Sequence, residues 1–442
     1  MKYKETDIQW LGKIPEHWET TTIKNHFYVI PSNVDKKTKE NEIPVELCNY
    51  VDVYYNDFID LSVPFMEATA NENEVVKFQL KEKDVLITKD SEDPLDIGVP
   101  ALINEVKDKL LCGYHLSMLR PKSNKITGDY LFWLLKDTSI ASQLWREATG
   151  VTRWAIASRH VKNSIIALPP KKEQIAVANY LENACNRIDE VINSKESQLL
   201  KIDSYYKSKL HELITKGLNK NVDFIDSKID WQGIVPKHWK RDKLFRLANK
   251  MGSGGTPKST NQDYYNGSIP WIQSGDLNDG LISKTKKTIT QRGLNESSAK
   301  IFNSGTVLIA MYGATIGKLG IMSTEAATNQ ACCAIQIGSK MDSLFLYYLL
   351  FDMREYLISR GYGGGQSNIS QEVLKQQYLY YPDIEEQKQI IDKIKFLEKK
   401  TSEIKKQVKS QIKTLKNYRK SLIHECVTGK KQIVKAMETV KN

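Results

Sequence analysis

Ile8-Gln9-Trp10-Leu11-Gly12-Lys13-Ile14-Pro15-Glu16-His17-Trp18 returns 221 positions later as Ile229-Asp230-Trp231-Gln232-Gly233-Ile234-Val235-Pro236-Lys237-His238-Trp239. A second phrase recurs at an offset of 213, where Tyr205, Lys207, Ser208, His211, Glu212 and Thr215 match Tyr418, Lys420, Ser421, His424, Glu425 and Thr428. Each copy of the first phrase opens a half-chain and each copy of the second closes one. The 442 residues therefore divide into two halves of 221, and such a chain is expected to have pseudo-twofold symmetry.

Each half reads as a short bracket, a mixed α/β segment and a long helix. In the first helix, apolar or small residues recur at Leu181, Cys185, Ile188, Ile192, Leu199, Ile202, Tyr206 and Leu213, with Lys195 and Lys209 in the two skipped positions. That alternation of four and three is a heptad seam. The second helix repeats it through Ile394, Leu397, Thr401, Ile404, Val408, Leu415, Tyr418 and Leu422, with Gln411 on the seam. Pro169-Pro170 and Pro382 stand where proline starts a helix, and Gly217 and Gly429 where glycine ends one. From Glu173 to Lys216 a helix would span ~66 Å at 1.5 Å per residue.

Neither apolar stripe is stable in water, so the simplest solution packs the two helices on each other, antiparallel if a twofold relates the halves. The polar seam positions suggest that part of this surface serves something else, such as the helices of a partner protein. Strand-like runs at Asp84–Thr88, Leu116–Leu119, Thr306–Ala310 and Ala331–Ile337, and helices at Tyr130–Leu135 and Leu344–Leu350, come in the same order in both halves. The expected fold is α/β (α+β), with globular domains at 1–168 and 222–381 and long helices at 169–221 and 382–442.

Composition narrows the class. With 40% hydrophobic and 26% charged residues, and no apolar run long enough for a membrane span, the chain reads as globular and cytoplasmic, with no membrane partner. The N-terminus lacks the apolar stretch of a signal peptide. Six cysteines without C-x-x-C spacing read as buried reduced thiols, and no His/Cys cluster has metal-ligand spacing. The net charge is +11, yet residues 19–165 hold 18 basic against 22 acidic side chains, so the excess lies in the second half. A basic excess suits a polyanion such as nucleic acid, and equally suits solvated lysine-rich faces.

Catalytic signatures are absent or imitated. Gly313-Ala314-Thr315-Ile316-Gly317-Lys318-Leu319 has one residue too few for a phosphate loop, and Leu319 replaces the required Ser/Thr. Pro382-Asp383 with Glu386-Gln387-Lys388 imitates a metal-dependent nuclease, but its acids suit a helix's first turn. Gly361-Tyr362-Gly363-Gly364-Gly365 follows no strand and opens no helix, which disfavours a dinucleotide site. No Asn-Pro-Pro-aromatic tetrapeptide of the amino-methyltransferases occurs. His17 and His238 sit between Pro and Trp in tight brackets, which argues against a role as bases. The chain reads as a non-enzyme.

These residues resemble the specificity subunit of type I restriction–modification systems. The bracket W-x-G-x-x-P-x-H-W occurs twice, as does Pro-x-x-x-Glu-Gln at the start of a long helix (Pro169 to Gln174, Pro382 to Gln387). The second globular segment carries the phrases of the family's target-recognition domains: Gly254-Gly255-Thr256-Pro257, Ile269-Pro270-Trp271-Ile272, Ser274-Gly275-Asp276-Leu277, Met311-Tyr312-Gly313-Ala314-Thr315-Ile316-Gly317, Thr328-Asn329-Gln330 and Gln366-Ser367-Asn368-Ile369. The first segment departs from it, with Thr88-Lys89-Asp90-Ser91 and Gly150-Val151-Thr152-Arg153, and resembles another subtype of recognition domain.

The resemblance implies a DNA-reading subunit without catalysis or a cofactor of its own. It would hold two modification subunits that supply S-adenosylmethionine and methylate adenine, and could recruit restriction subunits that use ATP and Mg. Each recognition domain would read half of a bipartite site in double-stranded DNA, with the paired helices as a ruler for the spacer. Low identity between the two segments predicts an asymmetric target. The rival readings are a coiled-coil scaffold or adaptor without nucleic acid, and an autonomous enzyme.

Base edges are read by Arg, Lys, Asn, Gln, Ser and Thr on loops held by a rigid scaffold. In the second segment the candidates are Tyr312, Thr315, Lys318, Asn329, Gln330, Gln366 and Asn368. Ser253, Gly254, Gly255 and Thr256 stand as a phosphate loop of backbone donors, against the alternative of turn geometry alone. In the acidic first segment they are Lys89, Arg146, Arg153, Arg159 and Lys162. Trp154 suits base stacking or core packing, and Trp271 the core. Trp10, Trp18, Trp231 and Trp239 are expected to clamp each globular segment to its helix.

Overall fold

The computed structural model describes residues 2–361 and 368–433. The chain forms two compact units, Met1–Glu196 with Lys409–Asn442, and Ser197–Val408. Each contains one globular head and one end of each long helix.

In the first head the run Val85-Leu86-Ile87-Thr88 is buried along its whole length, so both faces of its sheet are covered there. It pairs antiparallel with Leu116–Pro121 on one side and Pro100–Ile103 on the other. Phe27–Pro31 and Phe58–Ile59 complete a five-stranded sheet, the latter joining parallel to Pro100–Ile103. Ile43–Cys48 lies between Met66–Ala70 and Leu110–Cys112 in a second sheet. Val45, Leu47, Phe78, Leu86, Ile103 and Met118 fill the core that both sheets share.

The second head repeats this plan. Its five-stranded sheet runs Ala248–Gly252, Cys332–Ile337, Val307–Ala310, Leu319–Met322 and Gly280–Ile282, again antiparallel but for the last pair. A second sheet forms around Tyr265–Ile272 and Ala326–Thr328, with Lys300–Phe302 as an added fourth strand. In the first head a single bridge, Gln79 to Leu111, stands in its place. The helices read from sequence are present as Gly128–Lys136, capped by the Thr127 side chain, and Ser343–Asp352, capped by Asp342.

The long helices run Lys171–Lys216 and Ile384–Val427. Within each unit they pair antiparallel: Asp189 meets Arg419 and Glu196 meets Lys416 in one, while Asp203 meets Lys405 and Tyr206 meets Glu398 in the other. The first seam is buried at Leu181, Cys185, Ile188 and Ile192 and half-buried at Leu199, Ile202, Tyr206 and Leu213, while Leu210 and Ile214, which the spacing did not mark, are buried near its end. The second needs correction. Ile394, Thr401, Val408 and Leu422 are buried, but the alternate position falls one residue later, on Glu398, Lys405, Ile412 and Arg419. Ile404 and Tyr418 lie on the exposed side. Ile412 is apolar, and the other three displaced positions are polar and paired, Glu398 accepting from the hydroxyls of Tyr206 (2.8 Å) and Tyr348 (3.1 Å), Lys405 meeting Asp203 and Arg419 meeting Asp189.

The duplicated phrases form the joints. Glu173 accepts from Trp18 Nε1 at 2.9 Å and lies 2.7 Å from His17 Nε2, while Glu386 repeats this with Trp239 and His238. Gln174 accepts from the Thr127 amide and donates to the carbonyls of Lys125 and Pro169. Gln387 does the same for Asp342, Lys340 and Pro382. At the helix ends Gly217 and Gly429 have φ +68° and +73°, the left-handed conformation of a helix-ending glycine. A Cβ on Gly429 would strike the Pro15 ring at 2.5 Å, and one on Gly217 would meet Trp239 at 3.2 Å. The phrase that closes each half thus docks on the bracket that opens the other.

Candidate nucleic-acid interface

The strand register in the second head brings one set of loops to a single sheet edge. Gly252 pairs with Ala334, Ala310 with Cys332 and Ile309 with Leu319, so the loops after Gly252 and Ala310 and before Cys332 and Leu319 share that edge. Most of the second head's candidates lie there. Tyr312, Lys318 and Gln330 are exposed, and Thr315 is half-buried in the short turn Gly313–Thr315. Thr256 Oγ1 donates to Gln330 Oε1 at 2.6 Å, and Ser253 Oγ accepts from Gln371 Nε2 at 2.9 Å. Exposed Asn368 precedes Ile369, whose amide donates to the Met311 carbonyl. Gln366 lies outside the described residues.

Two of these residues have structural duties that sequence did not show. Asn329 is buried, and its Oδ1 accepts from the Ala331 amide, holding the loop at the start of Cys332–Ile337. The Gly254 amide donates to Thr328 Oγ1, so this donor of the anticipated phosphate loop is already engaged. A Cβ on Gly254 would lie 2.0 Å from the Thr328 carbonyl, and one on Gly255 1.9 Å from Ser298 Oγ, so close approach of the backbone accounts for both glycines. Trp271 is buried with its Nε1 donating to the Gly255 carbonyl, as a core residue.

The matching edge of the first head, at Pro31, Thr88, Pro100 and Leu116, presents different chemistry. Lys89 Nζ donates to the Ser32 carbonyl at 2.6 Å and lies 4.5 Å from the Tyr114 ring centre. Burial pushes its ammonium pKa down. Asp90 follows, its Oδ1 2.7 Å from both Arg153 Nε and His115 Nδ1. Sequence reasoning missed Asp90, Tyr114 and His115, because nothing in their spacing shows that the register joins them to Arg153. The structure brings Lys89 and Arg153 to one edge and leaves the other three elsewhere. Arg146 is exposed at the end of Thr138–Trp145, while Arg159 and Lys162 are exposed on the helix Ser158–Asn163. Trp154 is half-buried and paired with Ser91.

Among the described residues no group of three or more His, Cys, Asp or Glu could hold a metal ion. All six cysteines are free and buried, and burial pushes Cys332 and Cys333 up to about 12. Asp383, of the nuclease-like phrase, accepts from the Glu386 amide as a helix cap. No helix among the described residues is long and apolar enough to cross a membrane.

Two α/β heads of one topology, each closed by a pair of long helices, define a class of duplicated, coiled-coil-bearing proteins whose variable sheet edges suit recognition. Residues 15–201 and 236–414 match the type I restriction modification DNA specificity domain, and the chain belongs to that family. It is 25% identical over 437 residues to the putative type I restriction enzyme MjaX specificity subunit of Methanocaldococcus jannaschii, covering 97% of this chain and 96% of that one. It is 24% identical over 294 residues to the EcoBI specificity subunit of Escherichia coli, covering 64% and 61%. A solved structure concerned with complex assembly and conformational transition of the type I R-M system matches with TM-score 0.73 at 18% identity, covering 94% and 98%. The HsdS subunit of Thermoanaerobacter tengcongensis matches with TM-score 0.57 at 17% identity, covering 94% and 98%.

Proposed function

We propose that the chain is the sequence-specific DNA-recognition subunit of a type I restriction–modification complex and reads an asymmetric, bipartite site in double-stranded DNA. Recognition would be the work of the domains at 1–168 and 222–381, one half-site each. A single observation carries this reading: two heads with one strand order bear unlike side chains at the equivalent sheet edge. The edge of the first head carries Lys89, Asp90, His115 and Arg153, and that of the second carries Thr256, Tyr312, Lys318 and Gln330. A shared scaffold with different edge groups suits two different base sequences, because specificity resides in loop side chains and geometry in the frame.

The twice-built frame suits two copies of a modification subunit, which would bring S-adenosylmethionine and methylate adenine. The same cytoplasmic assembly could also recruit restriction subunits that use ATP and Mg. Sequencing methylated adenine in cells carrying this chain and its modification partner tests the reading. A site of two unlike half-sites separated by unspecified bases is expected. Methylation without sequence preference would refute it, as would a chain that purifies without a methyltransferase and does not bind DNA.

A further inference from the structure

We infer that Arg153 reads a guanine in the half-site of the first head, held in reading position by Asp90 and His115. The inference rests on the proposed function and adds to it a base and the residues that select it.

Arg153 stands beside Val151 and Thr152 on an exposed hairpin, in which Thr149 pairs with Ala155 and Gly150 with Trp154. That hairpin is fastened to the sheet, since Trp154 and Ala155 pair with Ser91 and Asp90 just beyond the central strand. The hairpin thus forms two strands of a three-stranded sheet, and its exposed turn, Val151 to Arg153, is the part that would reach into the major groove, where guanine presents the acceptors N7 and O6 to an arginine fork. Gly150 keeps the hairpin tight, because a Cβ there would lie 2.0 Å from the Arg153 carbonyl.

The guanidinium is exposed but not free to swing. Its Nε and Nη2 lie 2.7 and 2.5 Å from Oδ1 of Asp90, a carboxylate only 12% exposed. His115 Nδ1 is 2.7 Å from the same oxygen and 3.2 Å from Nη2, so the shorter contact assigns its proton to Asp90. Behind His115 stands Tyr114, edge-on at 4.9 Å and covered by the Lys89 ammonium. Of the five N–H donors of the fork, one on Nε and one on Nη2 face Asp90. Nη1 has no hydrogen-bond partner among the described residues. The end of the fork that would take N7 and O6 together is therefore presented, and its ordering cost is met before binding. A pair serving only to neutralise Asp90 would not need a planar fork, and lysine would replace it.

The test compares Arg153→Lys with the wild type, each assembled with its modification subunit, on duplexes in which every base pair of both half-sites is changed in turn. The expected result is one G·C pair in the first head's half-site whose replacement costs the wild type roughly 10- to 100-fold in affinity and costs the variant almost nothing. All other positions should keep their penalties. Asp90→Ala, which leaves the arginine in place, should relax the same position. An unchanged profile in Arg153→Lys, an even loss at every position, or a first half-site without guanine would each overturn the inference. A wild-type complex indifferent to every base would instead refute the proposed function itself.

Discussion

The Tyr130 hydroxyl lies 3.3 Å from the carbonyl of Val427, across 297 positions of chain, and 3.2 Å from that of Ala167. The core of the first head is thus tied directly to the last turn of the second long helix. Tyr130 is fully buried, so Tyr130→Phe removes the one hydroxyl proton that these two carbonyls share. A loss of about 1–3 kcal/mol is expected, read as a lower denaturant midpoint. An unchanged midpoint would show that the joint depends on packing alone.

Glu173 serves the same joint from the other helix. Its carboxylate receives the Trp18 indole N–H, and Trp18 is 2% exposed. Glu173→Ala leaves that donor buried and unpaired, at about 1–3 kcal/mol, whereas Glu173→Gln keeps an acceptor oxygen and should retain most of the stability. Equal thermal destabilisation by both variants would mean that the bond to Trp18 contributes nothing.

How much of this was legible in the sequence depends on whether the determinant was local. Pro169, Glu173, Gln174 and Gly217 are local punctuation, and the helices start and end where they indicate. The buried runs around Leu86 and Leu308 marked the central strands for the same reason. The second helix's seam was displaced because periodicity counts apolar residues, and it could not register that Glu398 and Arg419 are paired across the helices. Arg153 could be picked from its basic, aromatic-flanked stretch, but Asp90 and His115 join it only through strand register. Asn329 has the residue type and loop position of a base reader, and neither shows in advance that it is buried and that its Oδ1 holds its own loop.

The closing phrase also carries a titratable contact. His211 Nδ1 lies 2.8 Å from Asp352 Oδ2, and this hydrogen bond raises the histidine pKa above 6.5 despite the opposing effect of burial. A raised folded-state pKa stabilises the fold fully below the unfolded value near 6.5 and ceases to do so as pH rises through the folded value. The second unit should therefore lose some stability from mildly acidic to alkaline pH. Asp352→Asn should flatten that slope, as followed by thermal unfolding across the range. The same slope in both proteins would exclude this pair as its source.

Lys318 allows phosphate contact and base reading to be separated in the second head. It is exposed at the start of Leu319–Met322, on the sheet edge that carries Tyr312 and Gln330. A lysine that neutralises one phosphate contributes by counterion release, which does not depend on sequence. Lys318→Ala should then weaken binding by the same factor on a cognate duplex and on one with a scrambled second half-site. The slope of log affinity against log salt should become shallower by about 1. Titrations at several salt concentrations with both duplexes decide the matter. If the loss appears only on the cognate duplex and the slope stays constant, Lys318 reads a base, and the phosphate contacts of this head must come from other residues.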